Sequence, residues 1–200
     1  MVDPVRPTPT ELWAPSAPAC WPTTYDGAMG VKPFYEGWER IQRRLVDRLP
    51  ALGPEELTLR GIDGWPIWGL VSHIAGARVY WLCGIFREPG AETTAFPDPF
   101  GECWEDDPDH PRSSGELRFA VESSWRIVES CLERWTPDML GETVERKVGG
   151  VVQLHTRQSV LMRLLTHDAF HAGEVSLILG MNGLPSLDPW EPPAPAPPSS

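Results

Sequence analysis

Thr166-His167-Asp168-Ala169-Phe170-His171-Ala172-Gly173-Glu174 sets two imidazoles and a carboxylate into an otherwise apolar helical seam. Val160, Leu164, His167, His171, Glu174 and Ile178 recur at intervals of three or four residues, which a helix presents as one face. The i, i+4 spacing brings His167 and His171 to about 6 Å apart at Cβ, the arrangement in which two helical histidines share a metal. An unpaired buried imidazole costs about 1–3 kcal/mol, and a cluster without a metal would incur that cost more than once. His73, beside the apolar stripe between Leu70 and Ala77, is the only histidine on another predicted helix and is the expected third ligand. Three neutral imidazoles suit zinc or nickel, and also ferrous iron. Glu174, one turn beyond His171, can orient a ligand histidine, act as general base or serve a structural role. Asp168 is expected to face away from the seam and to hydrogen-bond or pair with an arginine. His110, in an Asp-Pro loop, and His155, ahead of the helix, are read as solvated or locally hydrogen-bonded.

Working outward, the seam belongs to a helix predicted over Arg157–Leu179, ended by Gly180, Gly183 and Pro185. Three more stretches carry helical period. The first runs from Pro33 to Leu49 with Phe34, Trp38, Ile41, Leu45 and Leu49 on its apolar face. The second runs from Pro66 to Phe86. The third opens on the capping box Ser113-x-x-Glu116, continues to Trp135 and is stopped by Pro137. Trp38, Trp65, Trp68, Trp81, Trp125 and Trp135 fall in or beside these segments and are read as core aromatics. The acidic, Pro-rich segment 88–112 is long enough to carry the chain across a bundle. Gly149-Gly150, flanked by valines, leaves room for a small β-hairpin. The expected fold is all-α, a four-helix bundle with a long crossover from the second helix to the third.

The 200 residues carry a net charge of −11 and are 41% hydrophobic, enough for one core. A surface of that sign argues against nucleic-acid and anionic-membrane partners and leaves a small-molecule substrate, with a homodimer open. No stretch approaches the roughly 18 apolar residues of a membrane span, and Cys20, Cys83, Cys103 and Cys131 form no C-x-x-C pair. A cytoplasmic protein with reduced thiols is expected. Six of the 23 prolines lie in residues 1–24 and six in 189–200. The expected organisation is therefore a Pro-rich extension (1–25), a helical domain (26–188) and a Pro-rich disordered tail (189–200).

Trp68-Gly69-Leu70-Val71-Ser72-His73-Ile74-Ala75, taken with His167-Asp168-Ala169-Phe170-His171-Ala172-Gly173-Glu174-Val175-Ser176-Leu177, resembles the DinB-like superfamily of bacterial metal-binding four-helix bundles. The resemblance extends over residues 30–188. It implies that His73, His167 and His171 hold one divalent metal and that the second and third helices are joined by a crossover. Glu174 stands where glutamine is common in the family. Relatives include mycothiol- and bacillithiol-dependent transferases and isomerases, and the iron-binding part of sulfoxide synthases. The resemblance thus implies a metal-dependent thiol S-transferase or hydrolase with a low-molecular-weight thiol as cosubstrate, since no cysteine falls in the histidine constellation. Two other classes stand beside it: a non-catalytic, metal-stabilised stress or small-molecule-binding protein, and an interaction module recruited through the proline-rich ends.

Overall fold

Five α-helices and one antiparallel hairpin form the regular structure of residues 30–62 and 64–190, the part of the chain that the computed structural model describes. They are α1 (Glu36–Arg48), α2 (Pro54–Leu57), α3 (Ile67–Val79), α4 (Ser114–Arg134), β1 (Thr143–Val148), β2 (Val151–Thr156) and α5 (Arg157–Met181). The extension 1–25 and residues 191–200 of the tail lie outside the described residues. No helix among the described residues is long and apolar enough to cross a membrane.

The two longest helices begin at side-chain caps. At α4 the Ser113 backbone N–H donates to Glu116 Oε2 at 2.9 Å while Ser113 Oγ accepts from the Glu116 N–H, closing the capping box read in the sequence. At α5 the Thr156 hydroxyl accepts from the Ser159 N–H at 3.0 Å. Helix α3 does not stop at Val79 but rewinds as a π-helical stretch over Tyr80–Ile85, a local widening often found at functional sites.

The fold is mostly helical, and the all-α expectation is corrected by the hairpin. Gly149 (φ +54°) and Gly150 (φ +82°) both sit in the left-handed region, so the two-residue turn closes with Val148 opposite Val151. Glycine meets that demand twice in succession without Cβ strain. The core also departs from the sequence reading at two aromatics. Trp38, Trp68, Trp81, Trp125 and Trp135 are buried, but Phe34 is 61% exposed and Trp65 38% exposed. Phe34 precedes α1 in a 3₁₀ turn (Lys32–Tyr35), where the 3.6-residue period does not hold. Trp65 precedes α3 and is not on its inner face.

Helix α3 packs on α4 and α5, and α1 packs on the same two helices. One buried polar network joins all four. Asp168 of α5 accepts from Arg78 Nε of α3 at 2.8 Å and from Trp38 Nε1 of α1 at 2.5 Å. Arg78 Nη1 donates to Gln42 Oε1 of α1 at 2.8 Å and to the Val121 carbonyl of α4 at 3.3 Å. After Met181 the chain turns back along α5, where the Leu187 N–H donates to Ser176 Oγ at 2.9 Å, and Trp190 lies under the Arg40 guanidinium.

A second charged junction fastens the exit of the π stretch. Glu88 accepts from Arg134 at 2.7 Å, from Arg157 at 2.8 Å and from the Trp135 indole at 3.1 Å. Burial pushes its carboxyl up, but these three donors outweigh burial and hold it below the usual carboxylate range. A depressed carboxylate adds stability above its unfolded pKa and loses it as pH falls through the folded value. Glu88→Gln is therefore expected to lower the urea midpoint at pH 7 and to flatten the acid limb below about pH 4. Equal losses at pH 7 and at low pH would show that the charge is not what matters.

Candidate metal centre

His73 projects from the middle of α3, and His167 and His171 project from successive turns of α5. Because α3 and α5 pack directly, the three rings meet. Their centroids lie 4.4 Å (His167–His171), 4.7 Å (His73–His167) and 5.0 Å (His73–His171) apart. One nitrogen from each lies within 4.8 Å of the other two, a grouping compatible with metal binding. Among the described residues no cysteine or carboxylate joins that group.

Two of the three rings are fixed by carboxylates. His171 Nδ1 is 2.6 Å from Glu174 Oε2, and His73 Nδ1 is 2.7 Å from Glu105 Oε1. An ionised carboxylate only accepts, so Nδ1 carries the proton and Nε2 is left as the free lone pair in both. His167 differs. Its Nδ1 is buried without a hydrogen bond, and Asp168 Oδ1 stands 3.8 Å away, beyond hydrogen-bond reach. Burial pushes the His171 pKa down; Glu174 raises it, while His167 and His73 lower it further, and the net direction is downward. A neutral imidazole is the form a metal takes.

Glu105 escapes the sequence reading. It arrives on a 3₁₀ turn, Trp104–Asp106, opened by the Cys103 N–H donating to Asp106 Oδ2 at 3.0 Å. Trp104 packs against Phe96 with ring centroids 5.2 Å apart, and the Arg112 guanidinium lies 4.8 Å over the Trp104 ring. The turn approaches α3 at Gly76, where a Cβ would fall 2.7 Å from Cys103 Sγ. Cys103 therefore lies near the histidines, a placement the sequence reading did not foresee. Burial, then Glu105 and Asp106, push its thiol up to about 12, so it remains protonated at neutral pH.

The histidines open onto a cleft of about 390 Å³ walled by Tyr80, Trp81, Phe100, Arg146 and Arg163, with His73 and His167 at one side. His110 is held by Asp107 in the connecting loop at 2.8 Å, and His155 packs edge-on against Trp81 from β2 at 4.9 Å. Neither belongs to the group of three. Asp168 pairs with an arginine as expected, but does so at the centre of the helical core.

Known proteins share this frame. The DinB superfamily model matches residues 38–175. A crystal structure of a DinB-like protein from Bacillus cereus ATCC 10987 is similar with a TM-score of 0.54 and 19% identity, over 80% of this chain and 97% of that one. No curated protein matches the chain. With the family pattern running from Trp38 of α1 to Val175 of α5, through all four long helices and all three histidines, this chain belongs to the DinB superfamily.

Proposed function

We propose that the chain holds one divalent metal, zinc or nickel, on His73, His167 and His171, and uses it to transfer a low-molecular-weight thiol onto a small electrophile. The domain would be residues 26–188, a four-helix bundle in which the connection from α3 to α4 crosses from one side to the other. The observation that carries this reading is the open triad: three imidazole donors within 4.8 Å, no fourth protein donor in the group among the described residues, and a cleft beside them. Three protein ligands plus a free position is the pattern of catalytic zinc sites, whereas structural sites are closed. The orphaned His167 Nδ1 and the two carboxylate-held rings fit a cationic guest.

When bound, a divalent ion supplies Lewis acidity that favours the thiolate of a cosubstrate. The protein's own groups do the rest. Glu174 and Glu105 hold the Nδ1 protons of His171 and His73 and so fix which nitrogen faces the centre. Tyr80, Trp81 and Phe100 give the cleft aromatic walls against which a substrate's apolar part can pack. Cys103, held as a neutral thiol, does not compete as nucleophile.

The test combines the full chain, each metal in turn, bacterial thiols of the mycothiol and bacillithiol type, and chlorodinitrobenzene. In the reaction a C–S bond forms, the C–Cl bond breaks, chloride leaves and the thiol proton passes to solvent. A metal-dependent rate is expected. Glu174→Gln should weaken metal affinity about 10- to 100-fold, and saturating metal should restore the rate. A rate that stays low under saturating metal would make Glu174 a general base instead of a positioning residue. If no thiol shows a metal-dependent rate, the transferase reading falls and a metal-stabilised binding protein replaces it.

A further inference from the structure

Two arginines face the cleft without an acidic partner. Arg146 enters from β1, with Nε donating to the Tyr80 hydroxyl at 2.8 Å and Nη1 to Gln153 Oε1 at 3.3 Å. Its guanidinium carbon lies 5.0 Å from the Trp81 ring centroid. Arg163 enters from α5, one turn before His167, with its guanidinium carbon 4.9 Å from the same ring. Arg163 has no side-chain hydrogen bond or ion pair among the described residues, whereas Arg78, Arg134 and Arg157 each hold a carboxylate at 2.7–2.8 Å. Glu105, the carboxylate that shares the cleft, is held by His73 through Oε1, its Oε2 is buried without a hydrogen bond, and it pairs with neither arginine.

In a chain of net charge −11, two uncompensated guanidiniums lining one concavity call for a ligand. Contact with the Trp81 ring restrains both guanidiniums; all the N–H donors of Arg163 and the Nη2 of Arg146 remain for a ligand, a presentation that suits a planar carboxylate. The remaining walls are flat and apolar: the Tyr80 and Phe100 rings meet edge to face at 5.8 Å. His155, edge-on against Trp81, registers the same field, since burial and then Arg163 and Arg146 push its pKa down. The volume of about 390 Å³ suits a small molecule rather than a polymer.

We infer that this cleft binds a small carboxylate with a flat apolar body, its carboxylate between Arg146 and Arg163 and its body along Tyr80 and Phe100 toward His73 and His167. The inference deepens the proposed function by naming a substrate class, and it rests on that reading only for what stands at the histidine end.

The probe is para-fluorobenzoate, followed by fluorine NMR line broadening on the full chain, both zinc-loaded and stripped with a chelator. Binding is expected in both states, with para-fluorobenzamide binding far more weakly. Arg163→Gln should weaken binding about tenfold or more, and Arg146→Gln with Arg163→Gln should abolish it. Because Arg146 also braces the hairpin through Tyr80, Arg163→Gln carries the decision: its melting temperature and zinc content should match the wild type. Undiminished affinity in Arg163→Gln and in the double variant overturns the inference, as does binding that requires zinc and ignores the arginines. Complete displacement by equimolar inorganic phosphate overturns it too, since the apolar body would then contribute nothing. A chain that takes no zinc yet holds fluorobenzoate through Arg163 would sink the metal reading and leave this one standing.

Discussion

Asp168→Ala is expected to cost about 3–5 kcal/mol of stability, because it strands the buried Arg78 guanidinium without its counter-charge. For a domain of this size that corresponds to a fall of roughly 6–20 °C in melting temperature. Both side chains are 1% exposed, so water cannot replace the lost carboxylate. The Trp38 indole N–H loses its acceptor in the same substitution. Urea denaturation at constant m-value measures the effect. Removing both charges tells the pairing apart from packing: Arg78→Met combined with Asp168→Leu should lie nearer the wild type than either single change, since an apolar pair has no stranded charge. A loss below about 1 kcal/mol for Asp168→Ala would mean that the network does not hold the four helices together. Asp168 also follows His167 directly, so the same substitution should loosen the histidine group that α5 presents to α3.

That network shows where the sequence is readable and where it is not. Periodicity identifies the face a residue occupies, and it brings α4 and α5 to within two residues of their observed ends because Ser113, Glu116, Pro137 and the Gly180–Pro185 segment are local signals. Gly149-Gly150 is local in the same sense: the turn's demand for two left-handed residues is written in two adjacent letters. Partners separated by 90 or 130 positions, as Arg78 and Trp38 are from Asp168, leave no such mark. The histidines stand on faces that the seam predicts, but Glu105 reaches His73 only because the 88–112 connection folds down on Gly76. Nothing in the spacing of that acidic segment says which of its carboxylates lands on the imidazole. Arg146 is hidden for a similar reason, since it joins the cleft through the hairpin's packing against Tyr80. The change to π winding at Tyr80, which lets consecutive aromatics line one cleft, has no signature in an apolar pattern that continues unbroken to Phe86.

Alanine at His167 or His171 is expected to abolish stoichiometric zinc binding, while Glu105→Gln and Glu174→Gln reduce affinity about 10- to 100-fold and keep the stoichiometry. The distinction follows from what each group contributes. An imidazole supplies a lone pair, and with three protein donors in the group the loss of one leaves two, too few to compete with water for the ion. A carboxylate behind an imidazole fixes the ring's tautomer and orientation, which glutamine reproduces in part through its carbonyl. Thermal shift reads the same ordering independently. A ligand at about 1,000 times its Kd adds about 4.1 kcal/mol to the folded state, so zinc should raise the wild-type melting temperature and leave the His167→Ala value unmoved. Comparison of the metal-free proteins separates lost ligation from lost folding: matched metal-free melting temperatures assign the missing shift to the donor itself. If His73→Ala, His167→Ala and His171→Ala all retain one zinc per chain with the wild-type shift, the ion sits elsewhere and the three rings, though within 4.8 Å, are not its ligands.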